Sequence, residues 1–430
     1  MRDPKPRFPK WLPGMLALAL ALAVLAAAAA PARAADDALV DTLVRKGVLT
    51  PSEAARIRGE AEAAPPAELP PALQGLKVGV LAYLDYAAGE AAAPADASTS
   101  FNRFTLTRGY LTVQKTLAPW LGARITTDIH RDADEDWKVR LKYLYAEIRP
   151  GDLGPLTGLK LEIGQGHIPW LDFEEHVNPY RCQGTMAVER AGIFNSADIG
   201  VSLRGGFLGR LAGAARRTGN PHYDGRYGSW HVGVYNGSGY HASEKNGNKV
   251  LEGRFTLRPL PDLVPGFQLS YLGIRGEGNT AFVPTGGYPD YAVHLGMASF
   301  EHPWVIATAQ VFTTEGNAQG TYVDALGRAL DTGGYSFFCR VAMPVPGRRL
   351  ALLGRFDHFD ADTDGRVARD AGYDMWIAGL SYDFHKGNML LLAWEATDYG
   401  RDSGGKGKAP VPGNRLGDEH KVQAVWQVKF

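Results

Sequence analysis

The chain has 430 residues, 45% hydrophobic and 21% charged, with 46 basic and 46 acidic side chains and a mean hydropathy of -0.19. These values exclude a disordered chain and a bundle of transmembrane helices, and the balanced charge leaves no global basic field for nucleic acid. Two cysteines, Cys182 and Cys339, are too few for a disulfide scaffold, whereas 52 Gly, 27 Pro, 17 Phe, 18 Tyr and 9 Trp suit many short strands joined by turns.

Residues 1–34 read as a secretory signal: Arg2, Lys5, Arg7 and Lys10, an apolar run from Met15 to Ala30, then Ala32-Arg33-Ala34 with cleavage expected after it. No later apolar stretch approaches 18 residues, so any downstream crossing of a membrane must use strands. Residues 36–64 follow a helical period, with Leu39, Leu43 and Val44 on one face, and Thr50-Pro51-Ser52-Glu53 is a capping box that starts a second helix. A periplasmic helical hairpin is expected here, serving as a spacer or as a contact for a partner. The paired prolines at 65–66 and 70–71 make residues 65–76 a stiff linker.

From Lys77 onward the period changes from 3.6 to 2, and segments of about ten residues recur between turn residues. In WKVRLKYLYAEI, Trp137 to Ile148, the alternation sets Val139, Leu141, Tyr143 and Tyr145 toward lipid and Lys138, Arg140 and Lys142 toward water. The same pattern opposes Leu251, Gly253, Phe255 and Leu257 to Glu252, Arg254, Thr256 and Arg258. A soluble sandwich also alternates, so connection length has to decide. Outer-membrane barrels have short periplasmic turns and longer external loops, which must alternate along the chain.

Strand cores are expected near 77, 104, 123, 137, 158, 197, 229, 249, 267, 291, 305, 334, 350, 372, 389 and 420. Long links at 88–102, 131–136, 169–196, 236–248, 277–290, 316–332, 361–371 and 400–418 alternate with short ones. The fold expected is all-β: a 16-stranded antiparallel transmembrane β-barrel over residues 77–430. One link departs from the rule, since Gly209 to Gly228 is about 20 residues long where a periplasmic turn belongs; it is either an insertion or a missed hairpin. In the last strand, HKVQAVWQVKF, Val422, Ala424, Trp426, Val428 and Phe430 share one face, with Val425 an exception on the other. A chain ending on phenylalanine in this way resembles the signal read by the barrel-assembly machinery, carried here by Trp426, Val428 and Phe430. Trp120, Trp304, Trp394, Tyr399 and Trp426 suit interfacial girdles in outer-membrane lipid.

The inner face is expected to carry Lys138, Arg140, Lys142, Arg204, Arg254, Arg258, Arg340 and Arg355, a charged pathway that favours anions unless Asp198, Glu252 and Asp357 neutralise it. The longest loop, Ile168 to Gly200, sets Asp172, Glu174, Glu175 and Glu189 against His176, Arg181 and Arg190; folded inward it makes a constriction, folded outward a surface flap. His176 with Glu174 and Glu175 lacks the spacing of a metal site. Cys339, beside Arg340, should face lipid while Cys182 sits in the loop, which argues against pairing. No nucleophile elbow, zincin helix, phosphate loop or haem-attachment motif occurs, so nothing points to an enzyme or a cofactor.

IGQGHIPW, an ERAGIF segment and SADIGVSLRGGFLG, followed by VGVYNGSGY, GRFTLRPLP and GRFDHFDADTD, resemble the phosphate-selective porin family of O and P type over most of residues 77–430. The resemblance implies a homotrimeric 16-stranded anion channel in the bacterial outer membrane, constricted by its third loop, with Arg181, Arg190 and the wall arginines as its charged path. Asp172, Glu174 and Glu175 depart from the strongly basic constriction of phosphate-selective members. The expected function is a porin for small hydrophilic, mainly anionic solutes. The alternatives are a barrel sheathing a haem-bearing electron-transfer partner, a plugged adhesin or receptor, and a barrel lipase or protease that assembles Ser, His and Asp from separate strands.

Overall fold

A computed structural model of the protein describes residues 41–56, 73–131 and 136–430. The signal segment and residues 57–72 lie outside them. Residues 41–45 and 51–56 are helical, and the expected capping box forms: the Thr50 N–H donates to Glu53 Oε2 (2.8 Å) and the Glu53 N–H to Thr50 Oγ1 (3.3 Å). Residues 75–430 make up a separate unit.

That unit is a closed antiparallel barrel of sixteen strands in sequence order. The strands are β1 (Leu76–Ala93), β2 (Ala97–Ala118), β3 (Leu121–Arg131), β4 (Trp137–Ile148), β5 (Leu156–His167), β6 (Ala197–Phe207), β7 (Gly228–Tyr235) and β8 (Val250–Leu257). They continue with β9 (Phe267–Glu277), β10 (Asp290–Glu301), β11 (Val305–Glu315), β12 (Asp331–Ala342), β13 (Leu350–Asp360), β14 (Tyr373–His385), β15 (Asn388–Tyr399) and β16 (Glu419–Lys429). All but β2 begin within three residues of the expected positions. We name the loops after odd strands L1–L8 and the turns after even strands T1–T7.

Closure removes the edges that a sheet would otherwise expose. β1 pairs with β16 from Leu81↔Lys429 to Glu90↔His420, and Phe430 extends the ladder by exchanging backbone hydrogen bonds with Val80 (2.9 and 3.1 Å). Every backbone group in such a wall can be paired, which hydrocarbon requires. The outer face is apolar, with Val78, Leu111, Ile125, Val139, Leu144, Leu251, Phe255, Phe337 and Leu352 exposed. Trp120 and Trp304 occupy turns T1 and T5, whereas Trp394 stands within β15 rather than at its end. Val425, the exception in the last strand, faces inward and is buried.

Four readings of the sequence are corrected or resolved. The link at 88–102 is a continuous hairpin: β1 runs to Ala93, β2 starts at Ala97, and Ala95 and Asp96 make the turn with positive φ. Its Ala- and Ser-rich arms lack alternation because water meets both faces above the apolar band. The 20-residue connection T3 is an insertion containing a short helix (Ala214–Thr218), not a missed hairpin. Both cysteines are free; Cys182 is buried and Cys339 exposed on the outer face.

The fourth correction concerns β4. Thr126 pairs with Tyr143 but Thr127 with Leu141, so Lys142 is an extra residue, and a one-residue bulge moves every later side chain to the other face. Tyr143 and Tyr145 therefore point inward and are buried, while Leu144 takes the outer face. β4 and β5 pair only over Leu144–Ile148 and Leu161–Gln165; above that the Gln165 side-chain amide donates to the Leu141 (2.7 Å) and Lys142 (2.9 Å) carbonyls.

Gly164 lies beside this break at φ +126°, where a Cβ would run into the Leu144 carbonyl. Gly164→Val should cost at least about 1–3 kcal/mol and lower the fraction of heat-modifiable folded barrel on electrophoresis. Gly296→Val, whose side chain would enter open space, should leave that fraction unchanged.

Candidate functional site: a charged path beside the third loop

L3 (168–196) turns into the barrel. It carries two short helices, α1 (Leu171–Val177) and α2 (Ala187–Arg190). Its Trp170, Leu171, Phe173, Val177, Met186, Val188 and Ile193 are buried in one cluster with the inward residues Leu272, Ile274, Val293, Leu295, Phe312, Phe338, Met375, Ile377 and Leu391. Each such large side chain contributes about 1.5–3 kcal/mol when fully buried. The half of the wall formed by β9–β15 thus works as a hydrophobic core with L3 as its contents. L6 (316–330) holds the far end of the loop: the Tyr322 hydroxyl donates to Ala191 O (2.6 Å) and the Asn317 amide to Gly192 O (3.0 Å).

T3 (208–227) meets L3 from the opposite mouth. Asn220 donates to His176 O (3.0 Å) and to Glu301 Oε1 (2.7 Å), the Tyr223 hydroxyl donates to Asp172, and the His222 and His176 rings lie 4.0 Å apart. Burial, then the neighbouring His176, lowers the His222 imidazole to about 4.

The expected pathway divides accordingly. Arg204, Arg254, Arg258, Arg340 and Arg355 point inward as alternation required; Arg254, Arg258 and Arg355 are buried against L3 or T3, while Arg204 and Arg340 are partly exposed. Arg254 is 0% exposed; it donates to Pro169 O (2.9 Å) and Ser229 Oγ (3.0 Å) and spreads its guanidinium over Phe173 at 4.2 Å. Arg355 binds Asp357 (2.6 Å) and Thr185 O (2.9 Å), and Arg204 binds Glu162 (2.6 Å) and Asp172 (3.3 Å). Arg258 donates to Gly225 O and Arg340 to Pro303 O (3.1 Å). A cation beneath an apolar loop needs carbonyls or carboxylates, and each of these has them.

Within L3, Glu174 and Arg190 face the packed side. The Trp170 indole N–H donates to Glu174 Oε2 (2.8 Å), and Arg190 reaches Glu395 (3.6 Å). Burial pushes the Glu174 carboxyl up to about 8, against the opposing pull of Arg355 and the Trp170 bond. Asp172, Glu175, His176, Arg181 and Glu189 lie on the other side. Arg181 bridges Glu175 (2.9 Å) and Glu189 (3.3 Å), and these carboxylates keep it charged despite burial. Burial would raise Asp172, but His167, His176, Arg204 and the Tyr223 hydroxyl hold it well below the usual carboxylate range.

Across from these residues stands a wall on β2–β4 that the sequence reading largely missed. Arg108, Arg124, Arg140 and Lys142 project inward, and among the described residues the carboxylate that pairs with Arg108 (3.5 Å) and Arg140 (3.3 Å) is Asp128, which is 0% exposed. Lys142 Nζ donates to the Tyr110 hydroxyl (3.2 Å), and Arg124 lies 3.4 Å from His167 Nε2. The alternation Arg108, Tyr110, Thr112, Gln114 was available as a signal. Bulges at Thr107 and Lys142 break the period on both flanking strands and hide that these cations share one side. Lys138 is exposed farther toward the loop mouth.

The closed sixteen-stranded antiparallel barrel is a fold that this chain shares with solved outer-membrane porins. No family model and no curated protein matches the chain. Among solved structures it is similar to the anion-selective porin from Comamonas acidovorans, with a TM-score of 0.55 and 11% identity over 83% of this chain and 100% of that one. It is also similar to OmpF of Salmonella typhi in complex with daunomycin (0.54, 11%, covering 83% and 97%). The outer-membrane channel DcaP of Acinetobacter baumannii gives 0.52 at 12% identity, covering 83% and 98%.

Glu174 generates a pH prediction. Its carboxyl titrates near 4.5 in the unfolded chain and at about 8 when folded, so the folded state holds a proton that the unfolded state releases between those values. Its contribution to stability is full below pH 4.5 and is lost as pH rises through 8. The thermal unfolding midpoint should fall between pH 6 and pH 9, and Glu174→Gln should remove that part of the fall.

Proposed function

We propose that this protein is an outer-membrane porin through which small hydrophilic solutes, anions foremost, diffuse along the β2–β4 side of the lumen, with L3 as the constriction. Segregated charge among the described residues carries this reading: Arg108, Arg124, Arg140 and Lys142 stand on the wall near Asp128, and Asp172, Glu175 and Glu189 stand on the loop. Such an arrangement sets a field across the path and orients polar solutes, while the cationic wall lowers the entry barrier for negative charge.

The apolar outer face and the short turns at one mouth support insertion by the barrel-assembly machinery after export, with Trp426, Val428 and Phe430 as the residues it would read. The family resemblance supports a homotrimer. Because Arg181 is already balanced by Glu175 and Glu189, the constriction suits a general anion path better than a dedicated phosphate site. Nothing favours the haem-sheath reading, since the chain's own loop occupies the apolar half of the wall.

Planar-bilayer recordings under a KCl gradient test the proposal. Stepwise channels with an anion-side reversal potential are expected, and Arg140→Gln should reduce the anion-to-cation permeability ratio about fivefold, as removal of roughly 1 kcal/mol of Coulomb attraction implies. A non-conducting or cation-selective barrel would refute the proposal. Block by millimolar phosphate would restore phosphate selectivity.

A further inference from the structure

We infer that the path prefers anions that carry a flat aromatic face, with small aromatic carboxylates as its solute class; this rests on the porin reading above. Besides the hydroxyl and amide side chains of Thr112, Gln114 and Thr126, which would suffice for a spherical inorganic anion, the wall cations have tyrosine rings among them. Lys142 Nζ lies 4.3 Å from the ring centre of Tyr110 on β2, 5.4 Å from that of Tyr143 on β4 and 6.0 Å from that of Tyr240, which L4 (236–249) brings in from the loop mouth. Arg124 stands 4.7 Å over Tyr143 and Arg140 5.7 Å from Tyr240.

Three elements therefore converge to place rings beside cations. Tyr110, Tyr240, Arg108, Arg124 and Arg140 are all partly exposed, so both kinds of surface are open to a solute. A tyrosine ring is rigid and offers a large stacking face at low entropic cost. Arg108 and Arg140 share the one buried carboxylate of Asp128, so their partly exposed guanidiniums can also receive a solute carboxylate, and Tyr240, whose ring lies 5.7 Å from Arg140, then offers its face to an attached aromatic ring. The opposite bank offers no comparable anion site, because Arg181 is engaged by two carboxylates and Asp172 and Glu175 repel a second negative charge. The solute's charge is thus held to the tyrosine side. Acetate supplies the charge alone, and cyclohexanecarboxylate supplies charge with apolar bulk but no π-face.

The test is block of the chloride current through single channels of the full-length protein by benzoate, cyclohexanecarboxylate and acetate at matched ionic strength. Benzoate should half-block at about tenfold lower concentration than either control, the equivalent of one good stacking contact. Tyr240→Ser, in a loop, and Tyr110→Leu, which keeps bulk but no aromatic face, should each bring the benzoate-to-acetate ratio toward one. Equal block by all three anions, or a ratio unchanged in both variants, would overturn the inference while anion-selective channels left the porin reading standing. Absence of channels, or a cation-side reversal potential, would overturn both.

Discussion

A closed wall of sixteen strands encloses more space than its inward side chains can fill. Closure itself is imposed by hydrocarbon, where an unpaired backbone group has no water to turn to. Here the β1–β16 ladder, extended by Phe430, completes the pairing. Having closed, the chain must dispose of a wide interior, and it fills that interior unevenly. L3 is pressed against β9–β15, T3 supports it from one mouth and L6 from the other, and the partly exposed inward side chains Arg108, Tyr110, Arg124 and Arg140 lie on β2–β4.

Filling a lumen with a loop brings backbone polar groups into a dry place, and buried cations answer them. Arg254 and Arg355 serve L3 carbonyls directly, at Pro169 and Thr185. Glu395 gathers Arg190 of L3 (3.6 Å), Lys406 of L8 (3.1 Å) and Lys421 of β16 (3.5 Å), and the Gln183 amide donates to it (2.6 Å). Removing one member of such a buried set typically costs about 3–5 kcal/mol, because the partners are left uncompensated. Arg254 and Arg355, which alternation alone would assign to a pathway, therefore hold the backbone of L3.

Strand positions were legible because lipid on one side and polar interior on the other impose a period of two, and because loops and turns alternate in length. The β1–β2 hairpin escaped, since beyond the bilayer nothing enforces that period. Site residues were harder to read. Alternation identifies Arg254 and Arg140 equally as inward, yet one lies under Phe173 and the other borders open space, and only the course of L3 separates them. A trace of that course does exist in the sequence: β9, β10 and β15 carry Leu272, Ile274, Val293, Leu295 and Leu391 on the inner face, which a water-filled lumen does not explain. The bulge at Lys142 left no such trace, and it sets which tyrosines the path contains.

The one-sided filling divides the barrel wall between two kinds of evolutionary pressure. Along β9–β15 an inward residue belongs to a packed interior, so drift there is limited by folding, as in any soluble domain. Along β2–β4 the inward residues divide: Thr126, Asp128, Lys142, Tyr143 and Tyr145 are buried, whereas Arg108, Tyr110, Arg124 and Arg140 are partly exposed and can be exchanged with smaller effect on the fold. On the porin reading proposed above, exchanging these four residues retunes permeability while the packed half of the barrel stays as it is.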